Sequence, residues 1–72
     1  MAYAITVAPA DLGWVVRADT LAGDLQFLSG AKAEVAARNL AQRMSEGGLA
    51  AEIRIFLRDG TLAQRVRYGA DI

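Results

Sequence analysis

Residues 51–69 read AEIRIFLRDGTLAQRVRYG, and how this stretch folds back on itself decides the architecture. Ile53, Ile55 and Leu57 alternate with Glu52, Arg54 and Phe56, the two-residue period of a strand with one face buried. Asp59-Gly60 then supplies the residue types that tolerate positive φ, as a two-residue type I′ hairpin turn requires. Leu62, Gln64, Val66 and Tyr68 resume the period beyond it. The register predicted by a two-residue loop sets Leu57 opposite Leu62, Ile55 opposite Gln64 and Ile53 opposite Val66. Slipping by one residue would set the aliphatic side chains against Thr61, Ala63 and Arg65, so the hydrophobic pattern selects the first register.

The N-terminal stretch repeats the pattern. Tyr3, Ile5 and Val7 alternate with Ala4, Thr6 and Ala8 up to Pro9, which is expected to end the strand. After PADLG, Trp14, Val16 and Ala18 fall on one side and Val15, Arg17 and Asp19 on the other. An antiparallel hairpin follows, with Val7 opposite Trp14 and Ile5 opposite Val16 so that the large groups share one side. In TLAGDLQFLSG, Gly23 and Asp24 leave only Leu25 to Leu28 able to pair, as a short edge strand.

Between the hairpins lies a helix. Ser29 is placed to cap it, because a serine hydroxyl accepts from an otherwise orphaned amide of the first turn. The helix is predicted from about Ala31 to Glu46, with Gly47 and Gly48 stopping it. At about 100° per residue, Ala33, Ala36, Ala37, Leu40, Ala41 and Met44 form a docking face, while Arg38, Asn39, Gln42 and Glu46 fall away. Four of those six are alanine. The helix axis therefore approaches a sheet closely, leaving Trp14, Phe27 and the strand aliphatics to fill the core. The expected fold class is α+β: a single antiparallel sheet of four or five strands, β-β-(β)-α-β-β, with one helix packed on one face of a single domain spanning residues 1–72.

GW at the start of the second strand, AKAEVAARNLA in the helix and the closing RDGTLAQRVRYG together resemble the small bacterial family catalogued as domain of unknown function 2188. The resemblance covers most of the chain. It implies a compact domain with strands flanking one helix and no established activity. The chain departs from many members in lacking basic residues directly after the helix.

Composition narrows function mainly by exclusion. A chain of 72 residues buries only about 60% of its unfolded surface, so its stability margin is thin. With 54% hydrophobic and 22% charged residues it is nevertheless a folding composition. No cysteine is present to staple it, which points to a cytoplasmic setting and to self-association, including a homodimer, as the source of extra stability. The N-terminal stretch lacks a basic segment followed by an unbroken apolar core, and no apolar run is long enough for a membrane span. Without histidine or cysteine, the commonest general base, metal ligand and thiolate nucleophile are missing. The carboxylates are scattered over turns, helix ends and solvent faces, with no convergent acid–base pair. Neither catalysis, cofactor nor metal is expected.

The surface worth attention is the outer face of the sheet. The predicted register sets Arg54 opposite Arg65 and Glu52 opposite Arg67, with Arg17 on the same side of the first hairpin. Phe56 points outward there, near Val15 or Ala63. Opposed like charges are unfavourable, and Glu52 and Asp19 are the acids expected to neutralise part of the cluster. The bland reading is a solvated, salt-bridged face. The functional reading makes Val15, Arg17, Arg54, Phe56, Arg65 and Arg67 a partner-binding face, with Val15 and Phe56 as apolar centre and the arginines as rim. The partner is then a protein, either a second copy or a larger protein that the domain serves as adaptor or inhibitor. The alternative partner is nucleic acid, its phosphates held by the arginines and a base stacked on Phe56. Eight Lys plus Arg against eight Asp plus Glu favours protein.

Overall fold

Strand β1 (Tyr3–Ala10) runs through Pro9 rather than ending at it. In the computed structural model, which describes residues 2–69, β1 pairs antiparallel with β2 (Gly13–Ala18), with Pro9 opposite Trp14 and Ala10 opposite Gly13. A two-residue loop makes Ala10–Gly13 the hydrogen-bonded pair, so position 9 points its nitrogen away from β2. On that other side, the β1–β4 ladder has already ended at Val7–Ile55. The missing N–H of proline therefore removes no bond. Extending the strand moves the expected hairpin register by two residues, to Val7 opposite Val16 and Ile5 opposite Ala18. A two-residue shift preserves which side chains face the core.

Leu25–Phe27 does form a strand, β3, on the far edge of β2. The helix α1 (Gly30–Glu46) begins where Ser29 predicts, with the Ser29 Oγ accepting from the Lys32 amide at 3.1 Å. At its other end Gly48, at φ +87°, donates to the Ser45 carbonyl at 3.0 Å and Leu49 donates to that of Met44 at 2.8 Å. This is a Schellman closure, which needs a left-handed residue at that position. The chain then enters β4 (Ala51–Phe56) and returns as β5 (Leu62–Tyr68).

The sheet has five strands in the order β3-β2-β1-β4-β5. Its one departure from the antiparallel expectation is central: β4 lies parallel to β1, with Tyr3 beside Ala51 and Ile5 beside Ile53. The cause is α1, which carries the chain from the end of β3 back to the end where β1 began, as a helical crossover does.

The helix lays Ala33, Ala37, Ala41 and Met44 against the inner face, buried with Ile5, Val7, Val16, Ala51 and Ile53. Trp14 and Phe27, opposite each other in the β2–β3 ladder, pack half-buried against this cluster. Leu57, expected inside, is 47% exposed. Arg38, expected to point away from the sheet, is half-buried and bonds both Glu34, at 2.8 Å, and the Tyr68 hydroxyl, at 3.2 Å. It thus ties the helix to β5.

The closing hairpin differs locally from its expectation. Gly60 alone has positive φ, at +88°; Asp59 does not. The Gly60 amide donates to the Leu57 carbonyl and the Leu57 amide to the Thr61 carbonyl, both at 2.9 Å. The loop is thus a type I turn followed by a left-handed glycine, three residues long. Asp59 holds it by accepting from the Thr61 amide and hydroxyl. Phe56, not Leu57, then pairs with Leu62, and an irregularity between Ile55 and Phe56 leaves Ala63 over. The bulged residue offsets the longer loop, which is why Ile55–Gln64 and Ile53–Val66 pair as predicted.

Candidate functional site

The helix covers one face of the sheet, so the side chains in the opposite phase form a second face. On β4 these are Glu52, Arg54 and Phe56; on β5, Arg65 and Arg67. From β1 come Ala4, Thr6 and Ala8, and from β2, Val15 and Arg17. The paired positions arrange them in rows across the sheet. One row runs Arg65, Arg54, Thr6, Arg17; beyond it Leu62 pairs with Phe56 across β5 and β4, and Ala8, Val15 and Gln26 pair across β1, β2 and β3.

All six predicted partner-binding residues lie on this face, in two groups. Arg54, Arg65 and Arg67 converge on Glu52, with Nε atoms 2.6, 3.5 and 3.3 Å from its carboxylate oxygens. Glu52 is 7% exposed, whereas the three arginine side chains are about half exposed. The opposition of Arg54 and Arg65 is real, and this one carboxylate between the strands is what makes it tolerable. Arg17 stands apart. Its guanidinium makes a two-pronged pair with Asp24, at 3.0 and 2.8 Å. Asp24, rather than the expected Asp19, is its acid because pairing of β2 with β3 carries residue 24 alongside residue 17.

Val15 corrects the expectation of an exposed apolar centre, being only 7% exposed. Its ladder partners are Ala8 on β1 and Gln26 on β3. Phe56 is half-buried, with Leu62 beside it 41% exposed. The apolar part of the face is therefore centred on Phe56 and Leu62, near β5, with Arg54 and Arg65 one row away.

The Glu52 carboxyl is held below the usual carboxylate range, first by the hydrogen bond from Arg54, then by the charge of Arg54, the bond from Arg67 and the charge of Arg65, against the opposing effect of burial. A lowered folded-state pKa stabilises the fold above the ordinary glutamate pKa of about 4.3, and that contribution is lost as pH falls through the folded value. Glu52→Gln is accordingly expected to destabilise the protein at pH 7. The difference from the parent should narrow as pH falls below about 4.3 and close only below the lowered folded value, where the parent's glutamate is itself neutral. Urea unfolding across this range checks it; a difference independent of pH would exclude the ionic role. Because the arginines are half exposed, added salt should shrink the difference as well.

Among the described residues no group of three or more acidic side chains gathers as metal ligands, and no helix is long and apolar enough to cross a membrane. The residues that sequence reasoning missed lie at the end of the sheet, where the β1–β2 turn and the start of α1 meet. Leu12 and Leu28 are each 89% exposed. They line an open concavity of about 500 Å³ with Ala10, Trp14, Gln26 and Phe27. The Arg58 guanidinium lies 5.6 Å from the Trp14 ring centre, within cation–π range. The signal for Leu12 was present: an apolar residue between Asp11 and Gly13, at the tip of a tight hairpin, has no core to enter. No protein-family model matches the chain, and no curated protein or solved structure shows significant similarity to it.

Proposed function

We propose that the protein is a non-enzymatic interaction module of the cytoplasm whose outer sheet face docks a larger protein, as a small adaptor or inhibitor. The observation that carries this reading is that α1, the one helix among the described residues, covers the inner face, while the other presents Phe56 and Leu62 beside a row of guanidiniums. An apolar centre with an arginine rim is the composition of a protein interface. Four arginines against Glu52 and Asp24 suit an acidic or mixed partner surface. The absence of histidine and cysteine from the chain supports a role without catalysis. Nucleic acid is the second reading, favoured by the same arginines, but equal numbers of acidic and basic residues would repel a phosphate backbone over much of the surface.

Affinity capture with the parent, Phe56→Asp and Arg54→Thr as baits tests the proposal. A protein partner retained by the parent should be lost from Phe56→Asp and weakened about tenfold or more by Arg54→Thr, with both variants folded by circular dichroism. Retention by all three would remove the outer face from the interaction. Tight, salt-sensitive binding of a random-sequence oligonucleotide by the parent would favour the second reading instead.

A further inference from the structure

We propose that two copies of this chain pair through the turn end of the sheet, in a two-fold contact that seats Leu12 and Leu28 of each copy against the concavity of the other. This surface adjoins the outer face at Gln26 but includes neither Phe56 nor the arginines around Glu52.

Leu28 immediately precedes the N-cap, a position from which an apolar residue ordinarily packs on the fourth residue of the helix. Here that residue is Ala33, fully buried against the sheet, and Leu28 remains 89% exposed. The hairpin tip places Leu12, equally exposed, on the same concavity. Nothing within the described fold covers either leucine. Large exposed apolar groups gathered at one place mark a contact surface.

The patch carries both halves of a contact. It has two projecting leucines and, beside them, a hollow floored by half-buried aromatic residues, Trp14 and Phe27. A two-fold interface requires a surface complementary to itself, in which a group on one copy meets a different group on the other, twice. The charges meet the same requirement. Asp11, in the β1–β2 turn, lines the concavity, and Arg58, in the β4–β5 turn, lies over Trp14, another of its lining residues, so charges of both signs border the apolar centre. A two-fold axis passing between them would set each acid against the partner's base. A partner of uniform charge would meet one of the two unfavourably, whereas a second copy supplies both complementary signs.

Sedimentation velocity across a concentration series tests this. The parent should sediment as a dimer. Leu12→Ser with Leu28→Ser should weaken association by about thirtyfold or more, and because both side chains are exposed the fold should be retained. Asp11→Arg and Arg58→Asp should each weaken association by setting like charges face to face. Mixing these two variants should restore it, since each copy then supplies the sign that the other lacks. Phe56→Asp should leave the dimer intact, which separates this contact from outer-face docking. A parent that is monomeric at millimolar concentration, folded charge variants whose mixture stays monomeric, or a dimer lost on Phe56→Asp but kept by the leucine variant would each overturn the proposal.

Discussion

Alanine in place of Gly13 is expected to destabilise the protein by about 3 kcal/mol or more, a large share of the roughly 4–11 kcal/mol available to a domain of this size. Two effects combine. Gly13 has φ +149°, where a side chain is strained, at roughly 1–3 kcal/mol. A Cβ placed there would also lie 2.2 Å from the Phe27 carbonyl oxygen and 3.2 Å from the Leu28 Cα. Both obstacles are backbone, so relief requires β3 to move away from β2. Because that movement disturbs the Trp14–Phe27 pair, the loss should spread into the half-buried aromatics. Urea unfolding measures the cost, with Gly23→Ala as control: nothing lies within 4 Å of a Cβ at position 23, and that change should be neutral or slightly stabilising. A cost below about 1 kcal/mol at position 13 would mean that β3 does not approach so closely.

Truncating Ile53 to alanine should cost about 3–5 kcal/mol, the upper part of the range for such changes. Among the described residues, the largest fully buried side chains are only Ile5, Ile53, Val7 and Val16. Ile53 sits at the middle of the sheet, between Ile5 on β1 and Val66 on β5. How much a cavity costs depends on whether its walls can collapse into it. The helix presents Ala33, Ala37 and Ala41 to the sheet, and alanine has no rotamer with which to reach inward. Ile53→Val, removing one methylene, should cost only about 1 kcal/mol. Equal unfolding midpoints for the parent and the alanine variant would show that the core lies elsewhere.

What was legible in the sequence was what short-range chemistry decides. Ser29 and Gly47-Gly48 bounded the helix because a cap hydroxyl and a left-handed glycine act within a few residues. Most of the β4–β5 register was legible because a one-residue slip would turn Ile53, Ile55 and Val66 outward. The direction of β4 relative to β1 was not, since residues 3 and 51 meet only after the helix has crossed the sheet and no local pattern records that. Pro9 misled because its cost depends on whether a strand waits for its donor, which the ladder length decides. On the outer face, period two placed every arginine correctly. It could not show that Asp24 would take Arg17, or that Val15, beside Ala8, would be covered: both depend on neighbours brought in from other strands.

The parallel β1–β4 pair at the middle of the sheet also shapes how the chain reaches this structure. Tyr3 meets Ala51 and Val7 meets Ile55, each pair 48 positions apart (51 − 3 and 55 − 7). Closing so long a loop costs entropy before any contact repays it. The two hairpins, by contrast, close locally and can form early. Until they join, the first exposes the edge of β1 that β4 will occupy and the second that of β4, each with its isoleucines unburied. On the ribosome the N-terminal hairpin emerges first and stays in that state until residues 51–55 have cleared the exit tunnel. The rate-limiting event is then the meeting of two preformed halves, and the interval before it is when the nascent chain is most open to wrong strand pairing.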